Sequence, residues 1–359
     1  MAPHNKYLAA HVNPSGAGDA RPTAMDIIRD SHMQGKLTGK VVLLTGGGSG
    51  IGIETARAMA ATGATLFITA RDVVKARAAL ENVLEEDQYT LIAMEQSSLQ
   101  SVRDAGATFL QKSGNRCNIL ICNAGVMACP YSTTAEGFET QFGVNHLSHF
   151  LLFQLLKDAL LASSTEGFQS RVVMVASSGH RRGGIDFEDI MFERGREYHP
   201  FLAYGQSKTG NIYMANEIER RYGGRGLHGL SLHPGGIRTG LQKHMDQEMV
   251  KGWDVSNHRF LPRIRTALMD ANGTKQVDPE VQKWSKSVAQ GASTTVFAAT
   301  SREWEGRGGV YLEDCDESVP FGGEDKRSGI GYKPHIYDVE AAKRLWDVSL
   351  RMVELNVDD

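Results

Sequence analysis

Between residues 41 and 232, short apolar runs alternate with longer stretches whose apolar positions recur at helical spacing. Unbroken apolar runs of about five residues fit strands buried on both faces. They predict strands at Val41–Thr45, Thr65–Thr69, Thr90–Met94, Ile119–Cys122, Val172–Ala176 and Gly229–Leu232. Helices are predicted between them at Ile53–Ala61, Asp72–Leu84, Ser101–Leu110, Gly137–Leu161 and Tyr204–Tyr222. In the long one, Phe138, Phe142, Leu147, Phe150, Leu151 and Leu155 fall on or near one stripe, the mark of a core-facing helix. This alternation predicts an α/β fold, a parallel sheet covered by helices on both faces.

The regularity stops on either side. Residues 1–36 carry Pro14, Gly16, Gly18 and Pro22 and one short amphipathic stretch at Met25–Ile28, and they read as an N-terminal arm. The α/β domain is expected over 37–312, followed by a C-terminal extension, 313–359, with a helix at Glu340–Glu354. At 359 residues the chain has room for two ordinary domains or one large one with additions.

Composition narrows the classes. Forty-one percent apolar and 23% charged residues support a sizeable core and exclude general disorder. With 39 Lys+Arg against 42 Asp+Glu, the chain lacks the basic excess that nucleic-acid binding needs. Cys117, Cys122, Cys129 and Cys315 show no metal or redox spacing, and no metal site is expected. No apolar leader precedes Asp19, Asp26 and Asp30. No run of about 18 apolar residues would span a bilayer. The expectation is a reduced, cytoplasmic protein with free thiols.

Glycine is the outlier, with 39 residues, about 11% against a usual ~7%. The densest cluster is Thr45-Gly46-Gly47-Gly48-Ser49-Gly50-Ile51-Gly52, where the first strand ends and the first helix begins. Glycines there let the backbone approach a pyrophosphate, and the helix N-terminus offers positive dipole. No Gly-Lys-Ser/Thr follows, so it is not a P-loop. A second feature is Tyr204 and Lys208, four apart and therefore on one helix face. An ammonium beside a phenol favours the phenolate and lowers its pKa, which makes a tuned general acid/base.

The glycine cluster reads TGxxxGxG, and further motifs follow in order. They are Asn123-Ala124-Gly125 after the fourth strand, Asn145 within Asn-His-Leu-Ser-His-Phe, and Ser177-Ser178 at the end of the fifth strand. Tyr204 to Lys208 is a YxxxK, and Pro234-Gly235-Gly236-Ile237-Arg238-Thr239 follows the sixth strand. Together they resemble the short-chain dehydrogenase/reductase family over about Leu37 to Leu312. Asn145–Phe150, Ser177–His180 and Val288–Thr300 resemble in particular its retinol-dehydrogenase and WW-domain-oxidoreductase branch. The resemblance implies one Rossmann-like, doubly wound parallel sheet of about seven strands. It also implies an NAD(P)-dependent enzyme.

By the same resemblance, Gly46, Ser49, Gly50, Ile51 and Gly52 cradle the cofactor, and Asn123, Ala124 and Gly125 pack against its adenosine side. Pro234, Gly235, Ile237 and Thr239 belong to the nicotinamide end. The acid that selects NAD would fall at Ala70 and is missing, while Arg71 follows and suits a 2′-phosphate. NADP(H) is therefore the expected cofactor, with Asp72 as a helix N-cap and Glu95 near the adenine. The resemblance implies a catalytic set of Asn145, Ser178, Tyr204 and Lys208. Tyr204 would exchange a proton with the substrate oxygen that Ser178 holds, and Ser177 would be structural. Lys208 would bind the nicotinamide ribose, with Asn145 holding a water nearby. His146, His149, His180 and His233 lie near these motifs without metal spacing.

A long lid is expected at about 241–286, with Met245, Met249, Trp253, Phe260, Leu261, Ile264, Leu268 and Met269 among charges. It suits a small, bulky lipophilic carbonyl or alcohol, retinoid-, steroid- or polyketide-like. The expected activity is an NADP-dependent ketoreductase or alcohol dehydrogenase. A dehydratase or epimerase on the same fold, and an NADP(H)-binding regulatory protein, are the alternatives. Relatives pair through the long helix and the YxxxK helix, which implies a homodimer or homotetramer.

Overall fold

The apolar runs form the strands of a parallel sheet in a computed structural model of the protein, which describes residues 6–245, 268–269, 275–276, 279–322 and 330–356. The strands are β1 (Val41–Thr45), β2 (Thr65–Ala70), β3 (Tyr89–Ala93), β4 (Ile119–Cys122), β5 (Ser170–Val175) and β6 (Leu227–His233). A separate short pair is β7 (Leu268–Met269) with β8 (Lys275–Gln276), and β9 (Val310–Glu313) and β10 (Asp316–Glu317) return to the main sheet. That sheet has eight strands in the order β10-β9-β6-β5-β4-β1-β2-β3. Only β10 runs antiparallel, paired to β9 across Asp314 and Cys315. Both of those residues have positive φ, 55° and 59°, as a two-residue I′ hairpin demands.

The helices are α1 (Leu8–Val12), α2 (Ala24–Asp30), α3 (Ile51–Ala61), α4 (Val73–Leu80), α5 (Leu99–Ser113), α6 (Thr140–Phe142) and α7 (Ser148–Ser163). Then come α8 (Pro200–Tyr222), α9 (Pro279–Trp284), α10 (Val288–Gly291), α11 (Ser293–Thr300) and α12 (Val339–Met352). Local chemistry sets several ends. Asp72 caps α4 by accepting from Lys75 N at 3.0 Å. Ser98 caps α5, which stops at Gly114 in the left-handed conformation. A π turn at Gly143–Leu147 joins α6 to α7, so the long helix runs on with one widened turn.

The core has two halves. Successive residues of β5 feed opposite faces, Val172 and Met174 to one side, Val173 and Val175 to the other. On the first side Phe109, Phe150, Phe153 and Trp346 pack from α5, α7 and α12; on the second Ile27, Ile28, Met59 and Val296 pack from α2, α3 and α11. Part of the N-terminal arm thus lies in the core. Its α2 starts with a capping box between Thr23 and Asp26. Arg171 of β5, 1% exposed, donates to the carbonyls of Ala298, Ala299 and Ser301 at 2.8–3.3 Å and pairs with Glu305 at 2.9 Å. It satisfies the C-terminal end of α11, where carbonyls otherwise lack partners.

The C-terminal helix α12 lies against α7 and α8. Trp346 meets Phe150 edge-on at 5.0 Å between ring centroids, and Ser349 Oγ lies 2.9 Å from His146 Nε2. Of the expected lid, Met249, Trp253, Phe260, Leu261 and Ile264 lie outside the described residues. Among the described residues no helix is long and apolar enough to cross a membrane.

Strand order reverses at β1, which has β2 on one side and β4 on the other. In open α/β sheets a ligand crevice opens at that switch, beyond the carboxyl ends of the strands. The loops after β1 and β4 are the glycine cluster and Asn123–Gly125.

Candidate active site

The cradle follows from close backbone contact. Gly46 turns with φ +67°, and a Cβ there would lie 2.8 Å from Ala124 Cβ. A Cβ on Gly52 would lie 2.2 Å from the Gly46 carbonyl oxygen, so the first turn of α3 closes only without a side chain. The α3 N-cap is Gly50, which supplies no capping side chain. That leaves the positive end of the helix for an anion. Thr239 closes the far side, its Cβ 3.4 Å from where a Gly50 Cβ would sit.

Thr45, the first residue of the motif, ties the two loops together. Its Oγ1 accepts from Asn123 N at 2.9 Å and Ala124 N at 3.0 Å and lies 2.9 Å from His149 Nε2. Asn123 Nδ2 donates to the carbonyls of Thr45 and Gly46 at 3.0 and 3.2 Å. Burial pushes the His149 imidazole down to about 4. It is therefore neutral, with Nδ1–H donating to Asn145 O at 2.9 Å. Neither Thr45 nor His149 stood among the expected site residues, although Thr45 opens the TGxxxGxG motif.

Tyr204 and Lys208 lie on the buried face of α8, 6% and 4% exposed. Lys208 Nζ donates to Val175 O at 2.8 Å and stands 5.7 Å from the Tyr204 ring centroid. Asn145, in the π turn, accepts from Val126 N at 2.8 Å and donates to Val126 O and Ser207 Oγ, both at 2.9 Å. A Cβ on Gly125 would sit 2.8 Å from Asn145 Oδ1 and 3.5 Å from Lys208 Nζ. Gly125, Asn145 and Lys208 thus converge.

The expected lowering of the phenol pKa is not what the site shows. Burial pushes Tyr204 up to about 12, opposed by a hydrogen bond with the Ser177 hydroxyl. Burial pushes Lys208 down to about 8. Desolvation is the largest cause of both shifts, and it disfavours the charged form of each group.

Ser177 and Ser178 lie at the start of the turn after β5, on the side of Tyr204. Ser177 is the extended residue just after β5, and Ser178 already starts the 3-10 turn Ser178–Arg182. Ser177 Oγ also accepts from Gly179 N at 3.0 Å, and Gly179 packs against the Tyr204 ring.

Arg71 and Glu95 stand at the ends of β2 and β3, away from Tyr204. Arg71 Nε lies 3.8 Å from Glu95 Oε2, and the Arg71 side chain is 73% exposed. Glu95 Oε1 accepts from Ser97 N and Oγ. Below the Pro234–Thr239 loop, Gly235 (φ +103°) leaves room for Lys286, which pairs with Asp314 at 2.7 Å. Ile237 packs on Gly291.

These residues fit a dinucleotide. A glycine cradle at an uncapped helix end suits its pyrophosphate, and Asn123 Oδ1 is buried beside it without a hydrogen-bond partner among the described residues. Comparison with known proteins agrees. Residues 40–188 match the family described as short chain dehydrogenase. The chain is 48% identical to "Short-chain dehydrogenase/reductase prx1" of Penicillium roqueforti over 355 residues, covering 98% of this chain and 96% of that protein. It is 34% identical to human "Retinol dehydrogenase 12", covering 89% and 87% of the two chains. The crystal structure of an uncharacterized protein from Mycobacterium paratuberculosis superposes with a TM-score of 0.65 at 28% identity, covering 94% of this chain and 99% of that one. The chain belongs to the short-chain dehydrogenase/reductase family. It is an oxidoreductase-family protein with the doubly wound fold of that class.

Proposed function

We propose that the protein is an NADP(H)-dependent oxidoreductase that interconverts a carbonyl and an alcohol on a bulky lipophilic substrate. The observation that carries this is the convergence of buried Lys208 and Asn145 on Gly125, in the loop that packs beside the glycine cradle, with buried Tyr204 on the same face of α8. The cofactor, when bound, supplies the hydride. Gly46, Ser49, Gly50, Ile51 and Gly52 hold its pyrophosphate, with Asn123, Ala124 and Gly125 on the adenosine side. Pro234, Gly235, Ile237 and Thr239 line its nicotinamide end. Arg71 takes the 2′-phosphate through the free edge of its guanidinium.

In the reduction direction, Tyr204 gives its hydroxyl proton to the substrate oxygen. A phenol held near pKa 12 stays protonated at neutral pH and is ready to donate. Ser178 donates to the same oxygen and fixes its direction, while Ser177 caps the turn that carries it by accepting from Gly179 N. Lys208 carries the positive charge that stabilises the resulting phenolate. Asn145 holds the Val126 backbone and keeps the pocket floor beside Lys208 in place.

A lipophilic substrate is supported by the apolar residues of the lid segment and by the name of the relative retinol dehydrogenase 12. Assembly through α7 and α8 is the family habit, but here α12 of the same chain covers that face. We infer that this route to a dimer or tetramer is closed.

The test is NADPH oxidation measured with retinal, a steroid ketone and a decalone. Stoichiometric cofactor consumption with alcohol product is expected. Product without NADPH consumption would instead indicate an isomerase-like or dehydratase activity. NADPH binding without any product would indicate a regulatory protein.

A further inference from the structure

We propose that Arg21 of the N-terminal arm is a positioning residue for the nicotinamide end of the cofactor site. The proposal rests on the role assigned above to the Pro234–Thr239 loop. Arg21 is 4% exposed, and two of its partners lie 263 and 264 positions further along the chain. Nη1 donates to the Trp284 carbonyl at 3.1 Å and Nη2 to the Ser285 carbonyl at 2.7 Å. These carbonyls end α9, where no helical partner remains for them. Nη2 also donates to Gly16 O at 3.0 Å, and Nε to Asp19 Oδ1 at 2.8 Å. Burying a guanidinium is costly unless its donors are matched. Here they are matched by oxygens of two distant segments, so the planar fork fixes where residues 284 and 285 lie.

The next residue, Lys286, carries that placement to the loop. Its N–H donates to Gly236 O at 2.8 Å, in a parallel bridge with Ile237. Its stem passes under Gly235, where a Cβ would lie 2.8 Å from Lys286 Cδ. The arm takes a second hold on α10 through Gln290, which is 1% exposed. Gln290 Nε2 donates to Asp19 O, Asp19 Oδ1 and Arg21 O at 3.0–3.1 Å, and its Oε1 accepts from Gly18 N at 2.9 Å. The helix ends at Gly291, where a Cβ would lie 2.5 Å from Ile237 Cγ1 and 2.9 Å from Ile51 Cγ2. Gly291 is thus wedged between the nicotinamide loop and the first residue of α3. The arm sets residues 284–291, and these set the loop. The adenosine side is built separately, on the bonds that join Thr45 to Asn123 and Ala124.

The test is titration calorimetry of the full chain with two ligands, NADPH and adenosine 2′,5′-bisphosphate, which carries the adenosine half and no nicotinamide. Arg21→Met should weaken NADPH binding about fivefold or more and leave the bisphosphate within about twofold of wild type. Arg21→Lys, which can reach one of the two carbonyls but not both, should fall in between. Asp19→Ala, at a half-buried position, loosens the same clamp from outside the core; it should weaken NADPH in the same direction and spare the bisphosphate. A merely structural role would weaken both ligands alike. Equal losses for both ligands, or wild-type NADPH affinity in Arg21→Met, would overturn the proposal. A wild-type chain that binds neither ligand would instead reject the cofactor reading on which it rests.

Discussion

Lys208 and Tyr204 are both buried, and burial moves them in opposite directions. Lys208 is down to about 8 and Tyr204 up to about 12. Raising the pH therefore removes the Lys208 proton first, while Tyr204 still holds its own. Carbonyl reduction should fall as pH rises through about 8, because the ammonium that stabilises the phenolate is lost. A pH–rate profile of kcat checks this, and a rate that stays level to pH 10 would contradict it. At the other end of the crevice, Arg71 has one guanidinium edge near Glu95 and the rest in solvent. Arg71→Ala should cut the preference for NADPH over NADH by about tenfold, the scale of one charge-assisted phosphate contact. Measuring kcat/KM with each cofactor decides it, and an unchanged ratio would remove Arg71 from the 2′-phosphate site. The residue scale is also where sequence reading met its limit. Tyr204, Lys208 and the glycine loop are legible because their chemistry depends on local spacing. The structural part of Ser177 was legible only as a guess, because its capping of the 3-10 turn through Gly179 N depends on where the chain turns after β5.

At the scale of elements, the strands and helices from β1 to β6 were legible because each carries its own periodicity. Several others were not. β9 is four residues long, and its Glu313 reads as polar, yet Arg181 and Gly331 bury and satisfy it from distant parts of the chain. The π turn at Gly143–Leu147 leaves no mark in the apolar stripe of the long helix. The seven-residue α2 shows in the sequence only as the amphipathic stretch Met25–Ile28, and the place of Ile27 and Ile28 in the core was not legible from it. The helix at the C-terminal end was legible, since α12 has a strong apolar stripe. What the stripe faces was not. Trp346, 3% exposed, packs on Phe150 and Phe153. Trp346→Ala should cost about 3–5 kcal/mol. Urea denaturation with the slope held constant measures this, and a loss under about 1 kcal/mol would mean that α12 is only loosely docked.

For the whole molecule, the surplus over a bare dinucleotide fold is put to use at both ends. The N-terminal arm fills one face of the sheet, and the tail after β10 covers the other and braces the serine turn. With α7 and α8 already covered by α12, sedimentation should show a monomer at micromolar concentration. A stable dimer that persists after Trp346→Ala would mean that assembly uses another surface. The central claim is that Tyr204 is the proton donor in a redox site. Tyr204→Phe tests it most directly, because the change removes one hydroxyl and keeps the ring that packs against Gly179. The measurement is single-turnover NADPH oxidation with a panel carbonyl, alongside NADPH titration of the same preparation. Hydride transfer should fall at least about a hundredfold, the scale of a lost general acid, with NADPH affinity retained. Oxidation at the wild-type rate, with affinity intact, would contradict the account.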